Sequence, residues 1–156
     1  MSRSLGLRHV ELDAIFHQPG WTELTDEDFR QRVDRLTVDG GWIVDGNYTD
    51  TLQDIVWNRA DTIVWLDLPR PLVMRRIVIR TLGRVVLRRE LWNGNRERWQ
   101  NLYSRDPLKS MIAWAWTQHG KYTQRYERAL ADPRWNGVRF IRLRSPRHIN
   151  AFLNEL

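Results

Sequence analysis

The fold of this chain is decided by an apolar segment near its middle, Asp61-Thr62-Ile63-Val64-Trp65-Leu66-Asp67-Leu68-Pro69. Residues 61–67 are nearly continuous in hydrophobicity, which is typical of a strand that is covered on both faces of a parallel sheet. Leu68-Pro69 closes this strand, and a helical pattern follows over residues 71–88. The segment therefore predicts a strand that leads into a helix, as in an α/β domain.

Strand and helix patterns alternate along the rest of the chain. Further strands are predicted over residues 9–13, 42–44 and 138–143. Residues 1–6 are predicted to be the end of a helix, with Gly6 as its C-cap, and further helices are predicted over 25–37, 51–58, 106–131 and 146–156. This alternation predicts an α/β fold with a parallel sheet of about four strands and helices on both faces, in one domain over residues 1–156.

Length and composition exclude several classes of protein. A chain of 156 residues suits one domain with a core, and 42% hydrophobic residues fit a globular protein. The sequence has no cysteine, which excludes disulfides and thiolate metal sites, and its four histidines show no metal-ligand spacing. Because no apolar run reaches the length of a membrane span and no secretory signal is visible, we expect a cytoplasmic protein without a membrane partner.

The charges are distributed very unevenly along the chain. Residues 70–105 hold ten Arg and two Glu, a balance of +8, whereas residues 11–61 hold twelve acidic residues and four Arg, a balance of −8. Proteins that coat nucleic acid usually spread positive charge over a broad face. The concentration around one element favours a local anion site instead, with nucleic-acid binding as the alternative.

The basic stretch contains a regular row of arginines. They are spaced i, i+4, i+8 and i+12, which places them along one stripe of a helix: Arg76, Arg80, Arg84 and Arg88. Guanidinium is the side chain that best matches phosphate oxygens, so the row predicts anion binding; the alternative is a solvated outer face. The row runs into a loop whose Asn93-Gly94-Asn95 predicts a flexible hinge.

Polar residues follow the predicted strands at the edge where ligands bind in open parallel sheets. They are Asp13, Asp45-Gly46-Asn47-Tyr48, Asp67 and Arg144-Ser145. Asp13 could hold a magnesium-bound water or accept a proton from a substrate hydroxyl. The alternative is that these are ordinary turn and capping residues. For Asp67, which precedes Leu68-Pro69, a role as cap of the next helix is favoured.

Four segments together resemble a known family. They are Leu12-Asp13-Ala14 with Pro19-Gly20-Trp21, then residues 42–48, 59–69 and 90–97. In this order they are similar to the bacterial adenylate kinase-like P-loop proteins often labelled topology-modulation proteins, over nearly the whole chain. The resemblance implies a P-loop nucleotide kinase-like fold that binds ATP with Mg²⁺ and transfers phosphate to a small acceptor.

The resemblance also implies roles for individual residues. Arg76 and Arg80, with Arg84 and Arg88, would clamp the transferring phosphates, in an Arg-rich lid-like insertion over residues 84–103. Asp13 would act as the acidic residue near magnesium and the acceptor hydroxyl. The remaining roles are substrate binding by Asp45, Gly46, Asn47, Tyr48 and Arg96, and nucleotide binding by Arg144 and Ser145.

The sequence departs from the family at its phosphate loop. It has no Gly-x-x-x-x-Gly-Lys-Ser/Thr motif, and its first lysine is Lys109. Residues 1–6 resemble the end of the helix that follows this loop, so a strand-loop-helix unit of about 20 to 30 residues is expected to be missing. Strands 42–44 and 61–67 would then flank a gap or pair directly. We expect this chain to bind ATP weakly and to be inactive or weak, with a nucleic-acid-binding module or a non-catalytic pseudoenzyme as alternatives.

Overall fold

The chain folds into alternating helices and parallel strands, which confirms the predicted α/β class. The computed structural model describes residues 1–97, 99, 104, 106 and 110–156. The strands are β1 (Arg8–Glu11), β2 (Trp42–Asp45), β3 (Thr62–Leu66) and β4 (Arg139–Leu143). The helices are α1 (Ser2–Leu5), α2 (Leu12–Phe16), α3 (Asp26–Thr37), α4 (Thr49–Val56), α5 (Arg70–Val86), α6 (Met111–Leu130) and α7 (Pro146–Asn154).

The strands form two separate parallel pairs. In the first, β1 runs beside β2 from Arg8 opposite Trp42 to Glu11 opposite Asp45. In the second, β3 runs beside β4 with Thr62 opposite Arg139. Within the described ranges no ladder joins β2 to β3, so a single sheet of about four strands is not confirmed. Direct pairing, one of the two arrangements expected for these strands, does not occur.

Each sheet has its own hydrophobic core. The first core lies between β1, β2 and helices α3 and α4, around the fully buried Phe29 and Val33. The second core is aromatic and lies around Trp57 and Trp135 beside β3 and β4. Val56, at the end of α4, packs against both cores and connects them.

Local signals in the sequence correctly predicted several element ends. Gly6 follows α1 with a φ of 65°, the left-handed conformation of a helix C-cap. Thr25 caps α3, where its hydroxyl accepts a hydrogen bond from the Asp28 amide at 3.1 Å. The first strand ends earlier than predicted, because Leu12 is already helical and starts α2. Part of the helix predicted over 106–131, residues 107–109 with Lys109, lies outside the described residues.

Among the helices that the structure describes, none combines the length and the apolar character needed to span a bilayer. The longest, α6, has 20 residues and carries Lys121, Arg125 and Arg128 in its second half. Charged side chains at this frequency are costly in hydrocarbon.

We predict that Gly46→Ala destabilises the fold by about 3 kcal/mol, because strain and overlap combine at this position. Gly46 has a φ of 146°, and a Cβ atom there would lie 2.7 Å from the Cβ of Leu12. Urea unfolding monitored by circular dichroism measures the change. Gly40→Ala is the control: no atom lies within 4 Å of its Cβ position and its φ is not positive, so its effect should stay within about 0.5 kcal/mol. Equal stability of the two variants would contradict the prediction.

Candidate functional site

The two exits of the first sheet meet at a hydrogen bond between Asp13 and Tyr48. Asp13 lies in the first turn of α2, directly after β1, and Tyr48 is the N-cap residue of α4, shortly after β2. Because β1 and β2 are parallel neighbours, both exits lie at the same edge. The Tyr48 hydroxyl donates to Asp13 Oδ1 at 2.7 Å. The structure thus joins two residues that the sequence predicted for the site.

Tyr48 is held as a neutral hydrogen-bond donor. Its ring packs against Phe16 and Phe29, with centroid separations of 5.1 and 5.0 Å. Burial raises the pKa of the Tyr48 hydroxyl far above its usual value, and the hydrogen bond to Asp13 raises this pKa further. Tyr48 therefore orients the Asp13 carboxylate through Oδ1. The Tyr48 hydroxyl makes no hydrogen bond to Asp13 Oδ2.

The turn between β2 and α4 presents its three predicted residues in different ways. Asp45 is exposed, and its Oδ2 lies 3.7 Å from His9 Nε2. Gly46 lies so close to Leu12 that a side chain at position 46 would overlap it. Asn47 faces α6, where the Tyr126 hydroxyl lies 3.4 Å from its Oδ1. The turn is thus fixed by the surrounding chain, with Asp45 its most accessible side chain.

The arginine row is shorter than its sequence spacing suggests. Arg76 and Arg80 are exposed on α5, and Arg84 is half-buried. The helix ends at Val86, two residues before the predicted end, in a Schellman motif whose 3.0 Å hydrogen bond runs from the Arg89 amide to the Arg84 carbonyl. Arg88 takes the left-handed position with a φ of 46°, so it leaves the stripe.

Arg84 lies within electrostatic reach of Asp13. Burial lowers the pKa of Arg84, and the positive charge of Arg80 lowers it further. The negative charges of Glu97, Asp13 and Glu11 act in the opposite direction. Arg84 Nη1 lies 3.8 Å from Glu97 Oε1, too long for a hydrogen bond, and its guanidinium lies 5.8 Å from the Trp92 ring. Arg84 therefore sits among both charge signs at the exit of β1.

The loop after the arginine row is anchored, in contrast to the hinge that Asn93-Gly94-Asn95 predicts. Asn93 Nδ2 donates to the carbonyls of Ala14 and His17, at 2.9 and 2.6 Å. Asn95 is buried; it donates to the Gln18 carbonyl at 2.9 Å and accepts from the Trp21 amide at 2.9 Å. These contacts bind the loop to the segment after β1.

The lid-like insertion predicted over residues 84–103 is described only as far as residue 97, and at residue 99. Residues 98 and 100–103 lie outside the described residues. In the described part, Arg96 is exposed and its Nη2 lies 3.8 Å from Glu90 Oε2. The Arg96 carbonyl accepts from the Trp21 indole at 3.1 Å, so this part follows the anchored loop.

The predicted nucleotide-binding pair lies at the exit of the second sheet. Arg144 is exposed, with its Nε 3.7 Å from Asp67 Oδ2. Ser145 caps α7: its hydroxyl accepts from the His148 amide at 3.2 Å. Asp67 does not cap α5, the role that its position before Leu68-Pro69 favours; Pro69 is the N-cap residue and Asp67 binds arginine.

Arg142 is the residue at this edge that the sequence interpretation missed. Its Nε donates to Asp67 Oδ2 at 2.8 Å, and its Nη2 donates to Glu127 Oε1 at 3.0 Å. Its guanidinium also lies 4.0 Å from the Trp65 ring, the residue opposite it in the ladder. An arginine between the apolar residues Ile141 and Leu143 was the signal, but its partner depends on the pairing of β3 with β4.

The residues fit one part of a Mg-ATP site and not the other. In the described part, no three His, Asp or Glu side chains cluster so that they could hold a metal ion. Mg²⁺ is usually held by one or two carboxylates together with substrate phosphates, which the single carboxylate of Asp13 suits. A backbone cradle for the phosphates would need a glycine-rich loop with a lysine, and the sequence contains no such motif.

Comparison with known proteins leaves the family of this chain open. No protein-family model, no curated protein and no solved structure matches it. The resemblance to adenylate kinase-like proteins therefore stays a prediction from four sequence segments. The geometry of Asp13, Tyr48 and Arg84 is the structural basis for a function.

We predict that Tyr48→Phe flattens the loss of stability at alkaline pH. The pKa of Tyr48 is raised in the folded state, so its contribution to stability is complete below the unfolded pKa of about 10 and is lost as the pH rises above it. One proton held only by the folded state would give a slope of about 1.4 kcal/mol per pH unit. The slope expected for Tyr48 is smaller, because solvent screens the half-buried site. Tyr122 and Tyr126, whose pKa values are also raised by burial, remain in both proteins. Urea unfolding between about pH 9 and 11.5 measures the slopes, and parallel curves would contradict the prediction.

Proposed function

We propose that this chain is an adenylate kinase-like domain that binds the phosphates of a nucleotide between Arg80, Arg84 and Asp13. The observation that carries the proposal is the position of Arg84, half-buried at the exit of β1 and within the field of the Asp13 carboxylate. A cation and a carboxylate at one strand exit are the parts that phosphoryl transfer uses for positioning and charge neutralisation. The reaction would be phosphate transfer from ATP to a small acceptor.

Repulsion between neighbouring arginines supports the phosphate assignment. The charge of Arg80 acts on Arg84 and lowers its pKa. Arg80 is exposed, and no carboxylate of the described residues lies within ion-pair distance of it. An anion bound between the two guanidinium groups would relieve their repulsion and accept charge-assisted hydrogen bonds from both. A phosphate group meets this requirement, because its oxygens match the guanidinium geometry.

Asp13 and Tyr48 would act on the acceptor side of the reaction. Tyr48 holds Asp13 Oδ1, so Asp13 Oδ2 can accept the proton of an acceptor hydroxyl as a general base. Mg²⁺, when bound with the nucleotide, would neutralise phosphate charge, and Asp13 could instead hold a magnesium-bound water. Asp45 is exposed at the same edge and would contact the acceptor.

The sequence contains no glycine-rich phosphate loop. In the described residues, β2 pairs with β1, β3 pairs with β4, and no ladder joins β2 to β3. Without the loop, Arg80 and Arg84 hold only one side of the phosphates, and we expect weak Mg-ATP binding with little or no turnover.

We predict that residues 1–156 bind Mg-ATP with an affinity no better than about 100 μM in isothermal titration, because the amide cradle is absent. Arg80→Ala and Arg84→Ala should each weaken binding about tenfold, the size expected for one charge-assisted contact. Arg75→Ala is the matched control, since Arg75 is also an exposed arginine of α5 but lies outside the row.

Two outcomes would overturn these assignments. An affinity near 1 μM for the unchanged chain would show that no further phosphate cradle is required. Equal losses in Arg80→Ala and Arg75→Ala would show that the phosphates are attracted by the overall charge of α5. Because Arg84 is half-buried, circular dichroism must first confirm that Arg84→Ala is folded. If Arg84→Ala is unfolded, the comparison of the exposed Arg80 with Arg75 decides the test.

Nucleic-acid binding is the second candidate, favoured by the exposed arginines of α5. Arg75, Arg76 and Arg80 are all exposed, and among described residues none of the three has a carboxylate within ion-pair distance. Exposed guanidinium groups on a helix can contact backbone phosphates of a duplex without reading its sequence. This use of α5 needs neither Asp13 nor Tyr48.

The second candidate predicts a gel shift of duplex DNA at about 20 mM salt that is lost steeply as salt rises to about 200 mM. The triple variant Arg75→Ala/Arg76→Ala/Arg80→Ala should abolish the shift, whereas Asp13→Asn should leave it unchanged. If the unchanged chain gives no shift at the lower salt concentration, α5 does not bind DNA.

A further inference from the structure

A basic cleft lies along α6. Its volume is about 380 Å³, and it is formed by one face of α6, by Gln53 of α4 and by the turn before β4. Its polar and charged lining includes Lys121, Gln124, Arg125, Arg128 and Arg134, and Trp135 lies beside them. This turn leads into the amino end of β4, whereas Asp13, Tyr48 and Ser145 follow the carboxyl ends of their strands. The cleft therefore shares no residue with the proposed phosphate site.

The cleft has an excess of two positive charges after its internal ion pairs are counted. Arg125 pairs with Asp50 at 2.7 Å. Arg134 pairs with Asp132 at 2.6 Å. Lys121 and Arg128 are exposed, lie two turns apart on the same face of α6, and have no ion-pair partner in the ranges that the structure describes. Two cations on one wall of a cleft favour a ligand with two negative charges.

Trp135, one of the residues that line this cleft, carries a buried hydrogen-bond donor. Trp135 is only 7% exposed, and its indole Nε1 is closed to solvent and has no acceptor among the described residues. A buried donor without a partner costs free energy, so a small shift of the ring that lets a ligand oxygen accept from Nε1 would stabilise the complex. Gln124, on the same wall as Lys121 and Arg128, offers a further amide donor. The cleft thus combines charge with two side chains that can donate hydrogen bonds.

We propose that this cleft binds a phosphate monoester, as a site separate from the one at the strand exits. A phosphate dianion balances the charges of Lys121 and Arg128 and has oxygens that can accept from the Trp135 indole and from Gln124. A cleft of about 380 Å³ suits a small organic molecule that carries this group. The site rests on α6 and the turn before β4, so it stands independently of the kinase-like function.

Inorganic phosphate is the probe, and the indole N–H signals in a proton-nitrogen correlation spectrum are the measurement. The chain has nine tryptophans, and Trp135→Phe identifies the signal of Trp135 by its loss. At about pH 8, where phosphate is mainly a dianion, we expect this signal to move downfield and saturate below about 20 mM phosphate. Sodium chloride keeps the ionic strength constant throughout the titration.

Matched variants test whether the phosphate response comes from this cleft, from the overall charge of the protein or from the proposed site at the strand exits. Lys121→Gln/Arg128→Gln should weaken the response at least about tenfold. Arg147→Gln, which removes an exposed charge from α7, should leave it unchanged. Arg80→Gln/Arg84→Gln should also leave it unchanged, even if the kinase-like proposal fails. A Trp135 signal that does not move, or that moves equally in Lys121→Gln/Arg128→Gln, would overturn the proposal. Both substituted residues of that variant are exposed, so its fold should persist, and the eight other indole signals report on it.

Discussion

The arrangement of the molecule depends on side chains that connect two sheets without a shared backbone ladder. Tyr126 of α6 stacks on Trp65 of β3 at a centroid separation of 5.2 Å, and its hydroxyl lies 3.4 Å from Asn47 Oδ1 after β2. Val56 of α4 packs into both hydrophobic cores. Two-stranded parallel sheets have little stability by themselves. The relative position of the two groups of strand exits is therefore set by α4 and α6.

The uneven charge distribution of the sequence contributes to the fold in addition to any role in ligand binding. The acidic stretch, residues 11–61, contains α2, α3, β2 and α4, and the basic stretch, residues 70–105, contains α5 and the anchored loop. Asn93 and Asn95 bind this loop to the segment after β1 through neutral amides, which brings Arg84 into the field of Glu11 and Asp13. Opposite charges that are far apart in sequence thus meet in the fold. Exposed arginines without an ion-pair partner among the described residues include Arg75, Arg76 and Arg80 of α5 and Arg128 of α6.

Features set by neighbouring residues could be predicted from the sequence, and features set by strand pairing could not. Thr25 and Gly6 follow local capping rules, and the strand at residues 62–66 follows from its own apolar pattern. The spacing that included Arg88 ignored the helix end, where hydrogen bonds to Arg84 and Val85 turn the chain. The hydrogen bond of Asp13 with Tyr48, and that of Asp67 with Arg142, join residues 35 and 75 positions apart. Only the three-dimensional pairing reveals such partners.

The anchored loop distinguishes an amide from a carboxylate at one position. Asn93 Nδ2 donates to two backbone carbonyls, of Ala14 and His17. An aspartate there would offer only acceptors when ionised and would face both carbonyl oxygens with negative charge. Asn93 precedes Gly94, and an asparagine followed by glycine is the sequence in which the side-chain amide hydrolyses most readily. Chemical ageing at this one amide would therefore remove the two hydrogen bonds from the loop to Ala14 and His17, while the contacts of Asn95 and the two hydrophobic cores stay intact.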